Sequence, residues 1–171
     1  MAVIAVVTLL GGGALAGEIR TGDVAGSDGN WQEARAVIDA PIAEVRGWLV
    51  DFEHWPQRFP DVTSAKVLAR AGGDRAKLRF RSKTIGRELT IDLRWTAREI
   101  TYRGAGKNVD VQGKIAMRPV GDGRTEVVMQ STADVHGLTG AFASKGMKRE
   151  RAFKKLRADL GALERLSHAR L

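Results

Sequence analysis

Apolar and polar side chains alternate with a period of two through the middle of this chain. Ala76, Leu78, Phe80 and Ser82 interleave with Lys77, Arg79, Arg81 and Lys83. Leu89, Ile91, Leu93 and Trp95 interleave with Glu88, Thr90, Asp92 and Arg94. Each set predicts an antiparallel strand with one buried and one wet face. Gly72-Gly73-Asp74 and Ile85-Gly86-Arg87 stand where tight turns are needed. Further strands are expected at Glu99–Gly104, Val109–Pro119 and Thr125–Val135, with Gly121-Asp122-Gly123 turning between the last two.

The period changes at both ends. Trp31 to Asp39 reads as a short strand with Ala34, Ala36 and Ile38 on one face, ended by Pro41. Ile42, Val45 and Leu49 then share one face of a helix reaching Val50. A second short helical turn through Asp51–Trp55 stops at Pro56, and Pro60 closes the segment. At the other end Met147, Phe153, Leu156, Leu160 and Leu163 recur at helical spacing, which predicts a long amphipathic helix. The expected order is a strand, two short helices, about six antiparallel strands and one long helix. Such a sheet has one apolar face, and only the last helix is large enough to cover it. The fold class is therefore α+β, a curved antiparallel sheet wrapped around a C-terminal helix, with room for a cavity between them.

Residues 1–17 contain no charged side chain, are too short to span a bilayer, and end in Ala14-Leu15-Ala16, a small-x-small cleavage pattern. They predict a signal peptide and an exported, periplasmic or secreted protein, although no basic residue precedes the apolar run. If the leader is not a signal, the protein is expected to be cytoplasmic. Residues 18–31, rich in Gly, Asp and Ser, read as a linker, so one domain is expected over 32–168.

Composition narrows the chemistry. The chain of 171 residues is 43% hydrophobic and 28% charged, as a globular domain should be. It has no cysteine, which excludes disulfides, thiolate metal sites and cysteine nucleophiles. Of the net charge of +8, nine cations against three acids place +6 between Gly137 and Leu171. Lys145, Lys148, Arg149, Lys154 and Lys155 would give the helix a basic outer face, either solvated or able to touch an anionic membrane surface. Nucleic acid is disfavoured, because no base-stacking aromatic pattern accompanies the cations.

The three histidines, His54, His136 and His168, lack metal-ligand spacing, and no metal or cofactor is implied. Asp51, Glu53, His54 and Asp61 form a local polar group best explained by turns and caps. Gly104-Ala105-Gly106-Lys107 lacks the rest of a phosphate loop. Tyr102, Asp134 and His136 are the candidates for acid–base catalysis, since they lie on or just beyond strands that should line the interior. The candidate apolar lining is Leu78, Phe80, Ile91, Leu93, Trp95, Val111, Ile115, Met117, Val127 and Met129, closed from the helix side by Phe142, Met147 and Phe153.

The element order, the stretch ARAVIDAPIAEVRGWLVDFEHWPQRFPDV and the late GKIAMRPVGDGRTEVVMQ hairpin resemble the SRPBCC superfamily from about Trp31 to Leu166. That group includes START lipid-transfer domains, the major birch pollen allergen, polyketide cyclases and coenzyme-Q-binding proteins, and the last two are the most similar. The resemblance implies a helix-grip fold and a hydrophobic ligand such as a lipid, quinone or polyketide. No catalytic motif carries over residue by residue. Binding or carriage is the first expectation, with a cyclase or dehydratase, or a membrane-surface protein, as alternatives.

Overall fold

A computed structural model describes residues 18–121, 123–136 and 144–169. The expected leader, Phe142 and Asp122 lie outside the described residues. The elements run β1 (Arg20–Asp23), β2 (Gln32–Ile38), α1 (Ile42–Val50), a 3₁₀ turn (Phe52–His54) and α2 (Trp55–Arg58). Then follow β3 (Val62–Ala71), β4 (Arg75–Ser82), β5 (Glu88–Trp95), β6 (Glu99–Gly106), β7 (Val109–Pro119) and β8 (Thr125–Val135). The last element, α3, is the 24-residue helix Lys145–His168.

All eight strands form one antiparallel sheet in the order β1-β2-β8-β7-β6-β5-β4-β3. From β3 to β8 it is a plain meander, and the single crossover places β2 beside β8. The alternation on β4 and β5 is realised in full: Ala76, Leu78, Phe80, Leu89, Ile91 and Leu93 are buried, and the residues between them are exposed.

Three local readings change. The 18–31 segment, expected as a linker, contributes β1, which pairs with β2 from Arg20↔Arg35 to Asp23↔Gln32. Its Gly, Asp and Ser residues form the return loop, where Ser27 Oγ donates to the Val24 carbonyl at 2.6 Å. An edge strand four residues long needs backbone pairing but no apolar period, so nothing in its pattern announces it. β3 likewise carried no alternation, because two register shifts, between Val62 and Ser64 and between Val67 and Ala69, break its phase. Pro56 opens α2 instead of stopping a helix, as proline is accommodated in a first turn.

α3 begins at Ser144, whose Oγ accepts the Met147 backbone N–H at 3.2 Å. Its buried residues Leu156, Leu160, Ala162 and Leu163 pack chiefly on β2 and β8. Ala34 and Ala36 on the inner face of β2 are buried, and their small side chains let the helix approach. One helix is only ~10 Å wide. Eight strands spaced at ~4.8 Å spread over roughly 34 Å, so α3 covers one side of the sheet and leaves the other open.

The far end is plugged by aromatic rings. Phe52 meets Trp55 edge-on at 5.1 Å and Trp95 at 5.5 Å, and Trp55 meets Phe59 and Phe80 at 6.0 Å each. Trp55 Nε1 donates to the Leu49 carbonyl at 3.1 Å, tying α2 to α1. Asp51 accepts from His54 Nδ1 and pairs with Arg58, each at 2.8 Å, so these residues hold the turn. Both contacts hold the Asp51 carboxyl below the usual range, the hydrogen bond from His54 most strongly.

Candidate functional site

Between α3 and the uncovered half of the sheet lies a cavity of about 1530 Å³. Leu49, Trp55 and Phe59 form its plugged end, and strands β4 to β8 its floor. Of the candidate apolar residues, Phe80, Ile91, Leu93, Val111, Ile115 and Met129 line it, and Met147 stands at the helix end of the wall. Leu78, Met117 and Val127 are buried in the core outside the cavity wall, and Trp95 packs edge-on against Phe52.

Phe153 does not close the cavity. It sits under the Arg149 guanidinium at 5.0 Å, on the flank of α3 that faces β1, where Arg149 pairs with Asp23 and Arg157 donates to Thr21, each at 2.8 Å. The added strand explains the correction, because it gives that helix flank a neighbour the sequence pattern did not show.

The three catalytic candidates separate by parity. Along β8 the odd-numbered residues Thr125, Val127 and Met129 are buried, and Asp134 and His136 carry the opposite parity. Asp134 is exposed at the cavity rim. His136 lies outside the cavity wall, with Nε2 at 2.8 Å from Asp110 and Nδ1 at 3.9 Å from Asp134. Tyr102 alone points inward. Its register partner on β7 is Gly113, and a Cβ added there would stand 2.3 Å from the Tyr102 hydroxyl. The ring therefore lies across a strand that glycine keeps bare. Burial raises the pKa of its phenol, and the nearby Ser131 works weakly against the rise. Gly113→Ala is expected to push the ring off the sheet and to cost about 1–3 kcal/mol of stability, read by urea unfolding. The same Cβ would stand 2.5 Å from the Gln130 carbonyl oxygen, so an unchanged midpoint would show that both the ring and the β8 backbone give way without cost.

Opposite Tyr102, α3 presents a charged group that sequence reasoning did not assemble. Lys155 Nζ donates to Asp159 Oδ2 at 2.5 Å and stands 3.8 Å from Asp61 Oδ2. Asp61 comes from the turn just before β3 and is buried. Its Oδ1 accepts from the Thr84 backbone N–H at 2.9 Å and from the Thr84 hydroxyl at 2.7 Å. Lys155 and Asp159 line the cavity. Burial works against the Lys155 charge, but Asp159, with smaller help from Tyr102 and Asp61, more than offsets it, and the lysine pKa is raised. Asp159 is pushed up by burial, against the pull of Lys155.

Lys155 is thus not part of a basic outer face. Lys145 and Arg149 are also engaged, the first with the Asp28 carbonyl and the second with Asp23. Lys148 lies on the cavity wall, and Lys154 is exposed on the outer groove of the helix. Asp61 keeps the turn role expected from sequence, since it lies in the turn before β3 and caps Thr84, and its other oxygen also faces this inner group. The available signal was the i, i+4 spacing of Lys155 and Asp159 beside the buried stripe of Leu156 and Leu160.

Among the described residues no cluster of three or more His, Asp and Glu side chains could hold a metal ion, and no helix is long and apolar enough to cross a membrane. The model for polyketide cyclase / dehydrase and lipid transport proteins matches residues 32–167. The chain belongs to that family.

No curated protein sequence matches it. Among solved structures, a START superfamily protein from Mycobacterium smegmatis is similar over 82% of this chain and 99% of its own, with 16% identity and a TM-score of 0.70. The Zhui aromatase/cyclase from Streptomyces sp. R1128 is similar over 90% and 96%, with 18% identity and a TM-score of 0.67. A protein from Thermus thermophilus is similar over 80% and 96%, with 20% identity and a TM-score of 0.70. At these identities the likeness is one of fold alone, the helix-grip architecture.

Proposed function

We propose that this protein binds a hydrophobic small molecule of lipid, quinone or polyketide type between the sheet and α3. The observation that carries this reading is the cavity itself. At about 1530 Å³ it exceeds the ~300–1,000 Å³ of most small-molecule sites. Ile91, Leu93, Ile115, Met129, Phe59 and Phe80 give it apolar walls, and a methionine and aromatic rings among them suit an irregular ligand. The family's description, which includes lipid transport, agrees with it.

Purified protein is expected to carry an apolar molecule that survives native mass spectrometry and is released by organic solvent. Emptied protein is expected to bind an apolar dye and to change the fluorescence of Trp55, which lines the cavity. Protein that is always empty and takes up no apolar dye would defeat the reading.

Cyclase or dehydratase chemistry in the same cavity is the second reading, favoured by Tyr102, Lys155 and Asp159 facing the interior and by the aromatase/cyclase among the similar structures. It no longer involves His136, which lies outside the cavity, or the exposed Asp134.

A further inference from the structure

Resting on the reading of the cavity as an apolar ligand site, we propose that Lys155 and Tyr102 form its polar pole and select an uncharged ligand that presents a hydrogen-bond-accepting oxygen, such as a ketone, and reject the matching carboxylate. The first support is the inventory of donors. An ammonium has three N–H bonds. Lys155 gives one to Asp159 at 2.5 Å, while Asp61 at 3.8 Å is beyond hydrogen-bond reach. Donor capacity therefore remains on a side chain that lines the cavity, with the Tyr102 phenol on the facing sheet.

The second support is what the acceptors do. Asp61 Oδ2 and Asp159 Oδ1 are buried and without a hydrogen-bond partner, and neither exposes surface to a ligand. They set the charge of the pole without offering themselves for binding. Two carboxylates already share one ammonium. An incoming carboxylate would bring a third negative group to the same cation in a poorly solvated site, where each unpaired charge is destabilising. A neutral carbonyl oxygen adds no charge and accepts a hydrogen bond from a charged donor, which is among the stronger kinds. Lys155 is on this account a specificity-determining residue, and its carboxylate neighbours hold it charged and in place.

The test uses three probes of one skeleton: fluorene, 9-fluorenone and fluorene-9-carboxylate, each measured by displacement of a bound apolar dye from the full chain at neutral pH. Fluorenone is expected to bind roughly 10-fold or more tightly than fluorene, the size of one hydrogen bond from a charged donor. The carboxylate is expected to bind more weakly than the ketone by at least as much. In Lys155→Met the advantage of fluorenone over fluorene should vanish. Tyr102→Phe should reduce the same advantage in part, and together with the wild-type series it decides the matter if Lys155→Met does not fold. Fluorene binding as well as fluorenone, or the carboxylate binding best, would overturn the polar pole and leave the apolar cavity standing. Failure of all three probes to bind would overturn both.

Discussion

Leu160→Ala is expected to lower the unfolding free energy by about 3–4 kcal/mol, among the larger effects available to a single substitution here. Leu160 has no exposed surface and lies on the stripe by which α3 packs on β2 and β8. Truncation removes the transfer energy of three carbons and leaves a hole that Ala34, Ala36 and their strand cannot collapse to fill. Phe153→Ala is the informative control. Both residues belong to one helical stripe by sequence spacing, but Phe153 is half-buried and rests under Arg149 beside β1. It should cost about 1 kcal/mol, nearer the value of an exposed stacking contact than of a core deletion. Urea unfolding of the two variants checks the assignment of helix faces, and equal losses would show that it is wrong.

Lys155→Met is expected to destabilise the protein by about 3 kcal/mol at neutral pH, because removing one partner leaves buried carboxylates without their cation. The effect should depend on pH in a definite direction. Burial already raises the pKa of Asp159, and Lys155 is the group that pulls it back. Without the ammonium the folded-state pKa moves further above the unfolded value of about 4. A group raised in the folded state lends stability below its unfolded pKa and loses it as pH climbs through the folded one. The deficit of the variant relative to wild type should therefore be greatest near pH 7.5 and shrink as the pH falls toward about 4. Thermal unfolding across that range reads it directly. A deficit constant with pH would mean that Asp159 does not depend on Lys155 for its charge.

Much of the fold is legible in the chain because alternation is a local property. Residues 76–95 state which face of β4 and β5 is buried, and the stripe of Leu156, Leu160 and Leu163 states which face of α3 meets the sheet. Parity along β8 even separates Asp134 and His136 from the inward residues, once the strand is counted from Val127. The short edge strand β1 and the bulged β3 are not legible, since backbone pairing asks nothing periodic of their side chains. Missing β1 led to one error about Phe153; the turn role of Asp61 was legible, but its approach to Lys155 was not.

The sequence by itself determines an α+β fold class with a sheet, a covering helix and no cysteine chemistry, because composition and hydrophobic period bound those outcomes. Only the tertiary structure decides the polar pole. Asp61, Tyr102 and Lys155 lie far apart along the chain and are brought together by sheet curvature, which closes the start of β3 toward α3. No pattern within a strand or a helix encodes that approach, and without it Lys155 is one cation among the nine of a basic terminal segment.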